Sequence, residues 1–147
     1  MPKATHHVPT GLVPLIPQLV VKDARKLAGF LEATFGAQVR DTMPTPDGKG
    51  IMHGFLTIEG VVVFFADPFG PAPATSSNLF VYVADVDAVV KRAVQAGATV
   101  VAPVADMPWG DRWGMVKDPF DNIWQIATHV EDVPPDEMKR RMAQGPK

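Results

Sequence analysis

The chain has no cysteine, so no disulfide braces it and no thiolate can hold a metal. It has no apolar run near the ~18 residues a bilayer-spanning helix needs, which argues against a membrane protein. It also lacks an excess of either charge. Fourteen basic side chains face sixteen acidic ones, a formal charge of −2, which leaves no electrostatic case for nucleic acid or an anionic membrane. The only basic run, Lys139-Arg140-Arg141, lies in a charged tail and reads as a solvated helix face. The start, Met1-Pro2-Lys3-Ala4-Thr5-His6-His7, has no apolar segment of the kind a secretory signal carries, so a cytoplasmic location is expected. His6 and His7 read as tail. No HExxH motif, Gly-rich phosphate loop or nucleophile elbow is found.

What the chain does have is a repeat. Leu19-Val20-Val21-Lys22-Asp23 is echoed by Val81-Tyr82-Val83-Ala84-Asp85, and Gly36-Ala37-Gln38-Val39 by Gly97-Ala98-Thr99-Val100, at an offset of 61 to 62 residues. A fixed period dictates architecture before any single motif does. With 147 residues the chain is one domain long. Two pseudo-symmetric halves follow, and ligands often lie where halves meet.

Residues 14–21 are apolar enough for a strand, with Pro14 and Pro17 placing it at a sheet edge. Asp23 can cap a helix whose apolar positions Leu27, Phe30, Leu31 and Phe35 fit a 3.6 period, and Gly36 stands where that helix needs a left-handed end. Strands are expected at 37–43, 51–58 and 61–66, the last two joined by the tight turn Glu59-Gly60. The second copy reads as strand 78–84, helix 86–96 and strands 99–105, 112–118 and 122–127. Each copy is β-α-β-β-β, which excludes a ferredoxin-like β-α-β-β-α-β unit. The first module spans about 13–67, a Pro/Ser-rich linker 68–77, the second module about 78–129, and a charged tail 130–147. Pro134 and Pro135 suit the first turn of a terminal helix, one side of which could pack through Met138 and Met142.

Paired β-α-β-β-β modules resemble the vicinal oxygen chelate superfamily of glyoxalase I, extradiol dioxygenases, fosfomycin-resistance enzymes and bleomycin-binding proteins. The run Trp109 to Phe120, with Gly110-Asp111-Arg112 and Asp118-Pro119-Phe120, continues to Trp124-Gln125-Ile126-Ala127-Thr128-His129. That run, with Ile51-Met52-His53 and Asp85-Val86-Asp87-Ala88, is similar to the PhnB-like branch. Asp121 and Asn122 depart from it, standing where the branch has glycine and then a variable residue. The resemblance implies an α+β fold in which two modules form a cup-shaped mixed sheet with helices outside and the ligand inside.

Metal-using members place ligands on the first and last strand of each module. By register those positions here are Ile16, Phe64, Asn78 and Gln125. Isoleucine and phenylalanine cannot ligate, and amide oxygens are poor substitutes for imidazole or carboxylate. No metal and no other cofactor is therefore expected.

Strand alternation and the hairpin register then give the inward residues. They are Ile16, Gln18 and Val20, His53, Phe55 and Thr57, and Val62, Phe64 and Ala66 in the first module. In the second they are Asn78, Phe80 and Tyr82, Ile123, Gln125 and Ala127, and, by the 61-residue offset, Arg112, Gly114 and Val116. Val61, Val63, Phe65, Leu79, Val81, Trp124 and Ile126 would form core under the helices. Gln18, Phe55, Phe64, Asn78, Phe80, Tyr82, Arg112 and Gln125 thus make up the candidate ligand-binding set.

Alternatives stand beside these roles. His53 can be a core histidine or a ligand or acid–base group, and Arg112 a structural ion pair with Asp111 or Asp118. Asn78 and Gln125 can bond each other. The Tyr82 hydroxyl can reach water, and Met107 and Trp109 can form a lid or an exposed tip. Two functions follow: a metal-independent binding protein for a small hydrophobic or aromatic molecule, as in drug sequestration, or a lyase or isomerase acting on a carbonyl compound with His53 as general base. Sheet edges that need cover imply a homodimer.

Overall fold

A computed structural model describes residues 1–145; the last two residues of the expected tail, 146 and 147, lie outside the described residues. The first module comprises β1 (Gln18–Val20), α1 (Ala24–Phe35), β2 (Gln38–Pro44), β3 (Ile51–Ile58) and β4 (Val61–Ala66). The second repeats it with β5 (Asn78–Tyr82), α2 (Val86–Gln95), β6 (Thr99–Asp106), β7 (Asp111–Lys117) and β8 (Ile123–His129), and α3 (Pro135–Ala143) follows. The sheets have orders β1-β4-β3-β2 and β5-β8-β7-β6, with the first strand of each module parallel to its last. The fold is the α+β one expected, built as two mixed four-stranded sheets.

Local chemistry sets the element ends. The strand expected over 14–21 is only three residues long, because Pro14 and Pro17 have no N–H to donate and pairing begins beyond them. Pro17 still accepts from the Phe64 N–H at 2.9 Å, and β1 is an edge strand as its prolines require. Asp23 caps α1 by accepting from the Lys26 N–H, and Gly36 closes it at φ 66°. Asp67 ties three segments together, accepting from the Asp23 and Ala24 N–H groups and from that of Ile51. In the second module Asp85 caps α2 through Ala88, while the Thr128 hydroxyl accepts from the Val86 N–H and donates to the Val83 carbonyl.

One apolar core serves both modules. It joins Leu27, Leu31 and Phe35 of α1, Val86 and Val90 of α2, Leu56 and Phe65 from the first sheet, and Val116, Trp124 and Ile126 from the second. The rings of Phe35 and Trp124 lie 5.0 Å apart, and Arg92 donates from Nε to the Thr34 carbonyl. Each sheet therefore spends one face on this helix-filled core. Of the expected core residues, Val63, Phe65, Trp124 and Ile126 are buried, and Leu79 and Val81 pack against the cluster. Val61 is 53% exposed, because it directly follows the Gly60 turn at the sheet rim.

Candidate functional site

The faces turned away from the helices hold the candidate residues. In the first sheet the β3–β4 hairpin has the register its two-residue turn dictates, with Phe55 opposite Phe64 and Thr57 opposite Val62. Gln18 lies beside Phe64 across the parallel β1–β4 pair. The His53 ring meets the Phe64 ring edge-on at 4.6 Å. Val20 and Ala66, at the far end of the same face, are buried where the linker crosses β1 and Thr75 donates to the Val20 carbonyl.

In the second sheet Asn78, Phe80 and Tyr82 alternate along β5 beside Ile123, Gln125 and Ala127 of β8. Phe80 and Tyr82 have ring centroids 5.1 Å apart and are 47% and 55% exposed. The amide of Gln125 donates to the Asn78 side-chain oxygen at 3.2 Å.

Here one expectation fails. Arg112, Gly114 and Val116 do not lie on this face; Val116 is fully buried in the core, and Arg112 reaches the helix side. Its guanidinium forms a two-point pair with Asp87 of α2 and a third bond to Asp106. Its partners are thus neither Asp111 nor Asp118. The reason is a loop length. Phe55 opposite Phe64 corresponds to Met115 opposite Gln125, so the repeat offset is 61 on the last strand but 60 on the one before it. A one-residue slip in a strand exchanges its faces. Trp113 and Met115 therefore share the exposed face with Gln125.

Asp118 is occupied elsewhere. Buried in the β7–β8 turn, it accepts from the Phe120 and Asn122 N–H groups, the Asn122 amide and the Trp124 indole. Asp121 takes left-handed geometry, φ 67°, a conformation glycine adopts at less cost.

The same register creates a cluster that the sequence reading missed. Asp111 pairs directly with His129 across β7 and β8. Asp111 is 3% exposed and accepts from the Tyr82 hydroxyl at 2.9 Å and the Trp109 indole at 3.1 Å, with His129 Nδ1 at 2.8 Å. His129 Nε2 points to Asp132 at 2.9 Å. Burial opposes the Asp111 charge, but the three donors outweigh it and hold the carboxyl below its usual range. Asp132 first, and then Asp111, raise the His129 pKa. The Tyr82 pKa is raised by its bond to Asp111.

The Tyr82 hydroxyl thus reaches a carboxylate rather than only water. Trp109 is bound back onto the start of β7, in a loop closed by the Met107 N–H donating to the Asp111 carbonyl. Gly110 in that loop has φ 99°, and a Cβ there would collide with the Glu131 carbonyl oxygen. His129 is the last residue of the quoted Trp124–His129 phrase. Counting the five-residue turn from 118 to 122 would have placed Asp111 opposite it.

His53 has no hydrogen-bonded carboxylate among the described residues. The Ile16, Phe64, Asn78 and Gln125 positions do not suit a metal, since two carry hydrocarbon and two carry neutral amides. No strand of one sheet pairs with a strand of the other, and Phe80 and Tyr82 of the second face stay exposed. Three surface cavities among the described residues are lined by other residues: the 106–110 loop with α3, the linker with the 119–121 turn, and the 45–50 loop with Asp67 and Phe69.

Residues 7–126 match the model of the Glyoxalase/Bleomycin resistance protein/Dioxygenase superfamily. The chain belongs to that superfamily. A glyoxalase-superfamily chain of this kind is similar to an uncharacterized protein of Mycobacterium bovis, 37% identical over 143 residues covering 88% of this chain and 91% of that protein. Among solved structures it is similar to TioX from Micromonospora sp. ML1, with 28% identity, a TM-score of 0.66 and coverage of 79% of this chain and 98% of that one. The PhnB protein from Bacillus cereus shares the fold, with 15% identity, a TM-score of 0.66 and coverage of 79% and 99%. PhnB-like structure is thus one superfamily branch among several that this fold resembles.

Proposed function

We propose that this protein is a cytoplasmic, metal-independent binding protein that holds a small hydrophobic or aromatic compound, with drug sequestration as its role. The carrying observation is a pair of exposed sheet faces bearing Phe55, Phe64, Phe80, Tyr82 and Trp113, with no strong donor at the four superfamily metal positions. Isolated surface aromatics are ordinary; two rows of them, one on each sheet, are of the kind that lines ligand cavities. In the proposal a second copy of the chain completes the cavity, setting the first sheet of one protomer against the second sheet of its partner.

Titration with a neutral aromatic dye tests this directly. Phe64→Arg should abolish binding, because it places an unpaired charge in an apolar cavity. Phe64→Tyr and His53→Ala guard against misfolding of the arginine variant. Unchanged affinity in all three would sink the proposal. Sedimentation at micromolar concentration should give twice the 15.9 kDa of one chain, and a monomer would remove the shared cavity.

A second reading rests on the Asp111–His129 pair. A carboxylate on one ring nitrogen orients an imidazole for proton transfer from the other, which here requires the exposed Asp132 to leave His129 Nε2. An isomerase or lyase acting on a carbonyl compound would use this pair more readily than the unsupported His53. Turnover eliminated by His129→Gln but kept by His53→Ala would favour it.

A further inference from the structure

The amides of Asn78 and Gln125 occupy an otherwise apolar stretch of the second sheet. Gln125 lies between Phe80 on β5 and Met115 on β7, and Asn78 beside Ile123. Two facing amides can form two bonds, but here they form one, from Gln125 Nε2 to Asn78 Oδ1. The Gln125 oxygen and the Asn78 amino group remain open among the described residues. Exchanging oxygen and nitrogen in both side chains still leaves one acceptor beside one donor, with the acceptor then on Asn78 and the donor on Gln125. In the free chain Asn78 is exposed and Gln125 half-buried, so solvent has access to both side chains. Once a second copy covers the face, each costs free energy unless something bonds to it.

We propose that Asn78 and Gln125 form a recognition edge for an amide or lactam carried on a flat apolar ligand. The ligand carbonyl accepts from the Asn78 amino group, its N–H donates to the Gln125 oxygen, and its body lies against Phe80 and Met115. This rests on the binding reading above and names the ligand class for that site. It also gives the two positions a purpose other than metal binding. A site built to bond an N–H discriminates strongly against an analogue that lacks it, whereas an apolar wall alone discriminates weakly.

The test compares quinolin-2-one with its N-methyl derivative, which keeps the ring and carbonyl but loses the donor. N-phenyl-1-naphthylamine serves as a neutral aromatic without an amide. Wild-type dimer should prefer quinolin-2-one by about tenfold, the worth of one net hydrogen bond. Gln125→Met should bring that ratio close to one, and Gln125→Glu, which keeps an acceptor, should retain it. Asn78→Leu should weaken both quinolinones alike and leave the ratio in place. A wild-type ratio near one, or a ratio that neither Gln125→Met nor Asn78→Leu removes, overturns the inference. Binding of the naphthylamine with neither quinolinone overturns it while the binding reading stands. No binding of any of the three overturns both.

Discussion

The two modules share topology but differ in what their exposed faces carry. The first face is an apolar surface in which His53 rests against Phe64, with no hydrogen-bonded carboxylate among the described residues. The second ends in a buried aspartate holding a histidine, a tyrosine and a tryptophan. The hairpins differ to match, with two residues in the β3–β4 turn and five between β7 and β8. A duplicated fold keeps its core pattern because the core is shared, whereas exposed positions are free to diverge. The longer turn also moves β7 by one position against the repeat. That slip turns Arg112 to the helix side and puts Asp111 opposite His129.

The largest expected effect tests whether the two faces belong to one cavity. Phe64→Arg on the first face and Phe80→Arg on the second should each reduce dye affinity by more than about a hundredfold, since either leaves a charge without a partner. If a second copy completes the cavity, mixing the two variants should restore binding in the mixed dimer, where one cavity has two unaltered faces. No recovery on mixing would place both faces of a cavity in one chain.

The next effect is confined to the second module. Asp111→Ala leaves three donors unpaired and should lower stability by about 2 kcal/mol in denaturant unfolding. His53→Ala in the first module should change stability far less, as no bond is lost there. Equal losses would erase the distinction drawn between the faces.

The pH dependence sharpens the same contrast. His129 is raised in the fold, so its contribution is complete below its unfolded value of about 6.5 and fades as pH rises through the higher folded value. Asp111 is lowered, so its contribution holds above about 3.8 and fades as pH falls through its folded value. The stability difference between wild type and His129→Gln should therefore be greatest between these limits, read from unfolding midpoints across pH. A flat difference from pH 4 to pH 9 would separate His129 from Asp111 energetically.

Smaller still is the expected metal effect. Protein purified without tag or chelator should hold well under one equivalent of zinc, nickel, manganese or iron, and EDTA should leave dye binding unchanged. One bound equivalent at Ile16, Phe64, Asn78 and Gln125 would contradict the donor chemistry of those side chains.

Much of the fold was legible because its determinants are local. The repeat, the capping Asp23 and Asp85, the Gly36 end and the Glu59-Gly60 turn each act within a few residues, and the 51–58 and 61–66 strands fall where they were expected. The alternation on β3 and β4 followed because a two-residue turn admits one register. No helix among the described residues is long and apolar enough to cross a membrane, as the absence of an apolar run implied.

The tertiary structure alone decided what depended on distance along the chain. Asp111 and His129 are 18 residues apart, and Arg112 and Asp87 are 25 apart. Their meetings depend on how a five-residue turn sets register and on where α2 packs. A period-two strand makes such a register all or nothing, so a one-residue slip decided which side chains reached the candidate site. The sequence by itself determined the two modules, their order and the hydrocarbon at two metal positions. Only packing decided that both sheets spend one face on a common core and leave the other exposed, because burial is a property of neighbours rather than of residues.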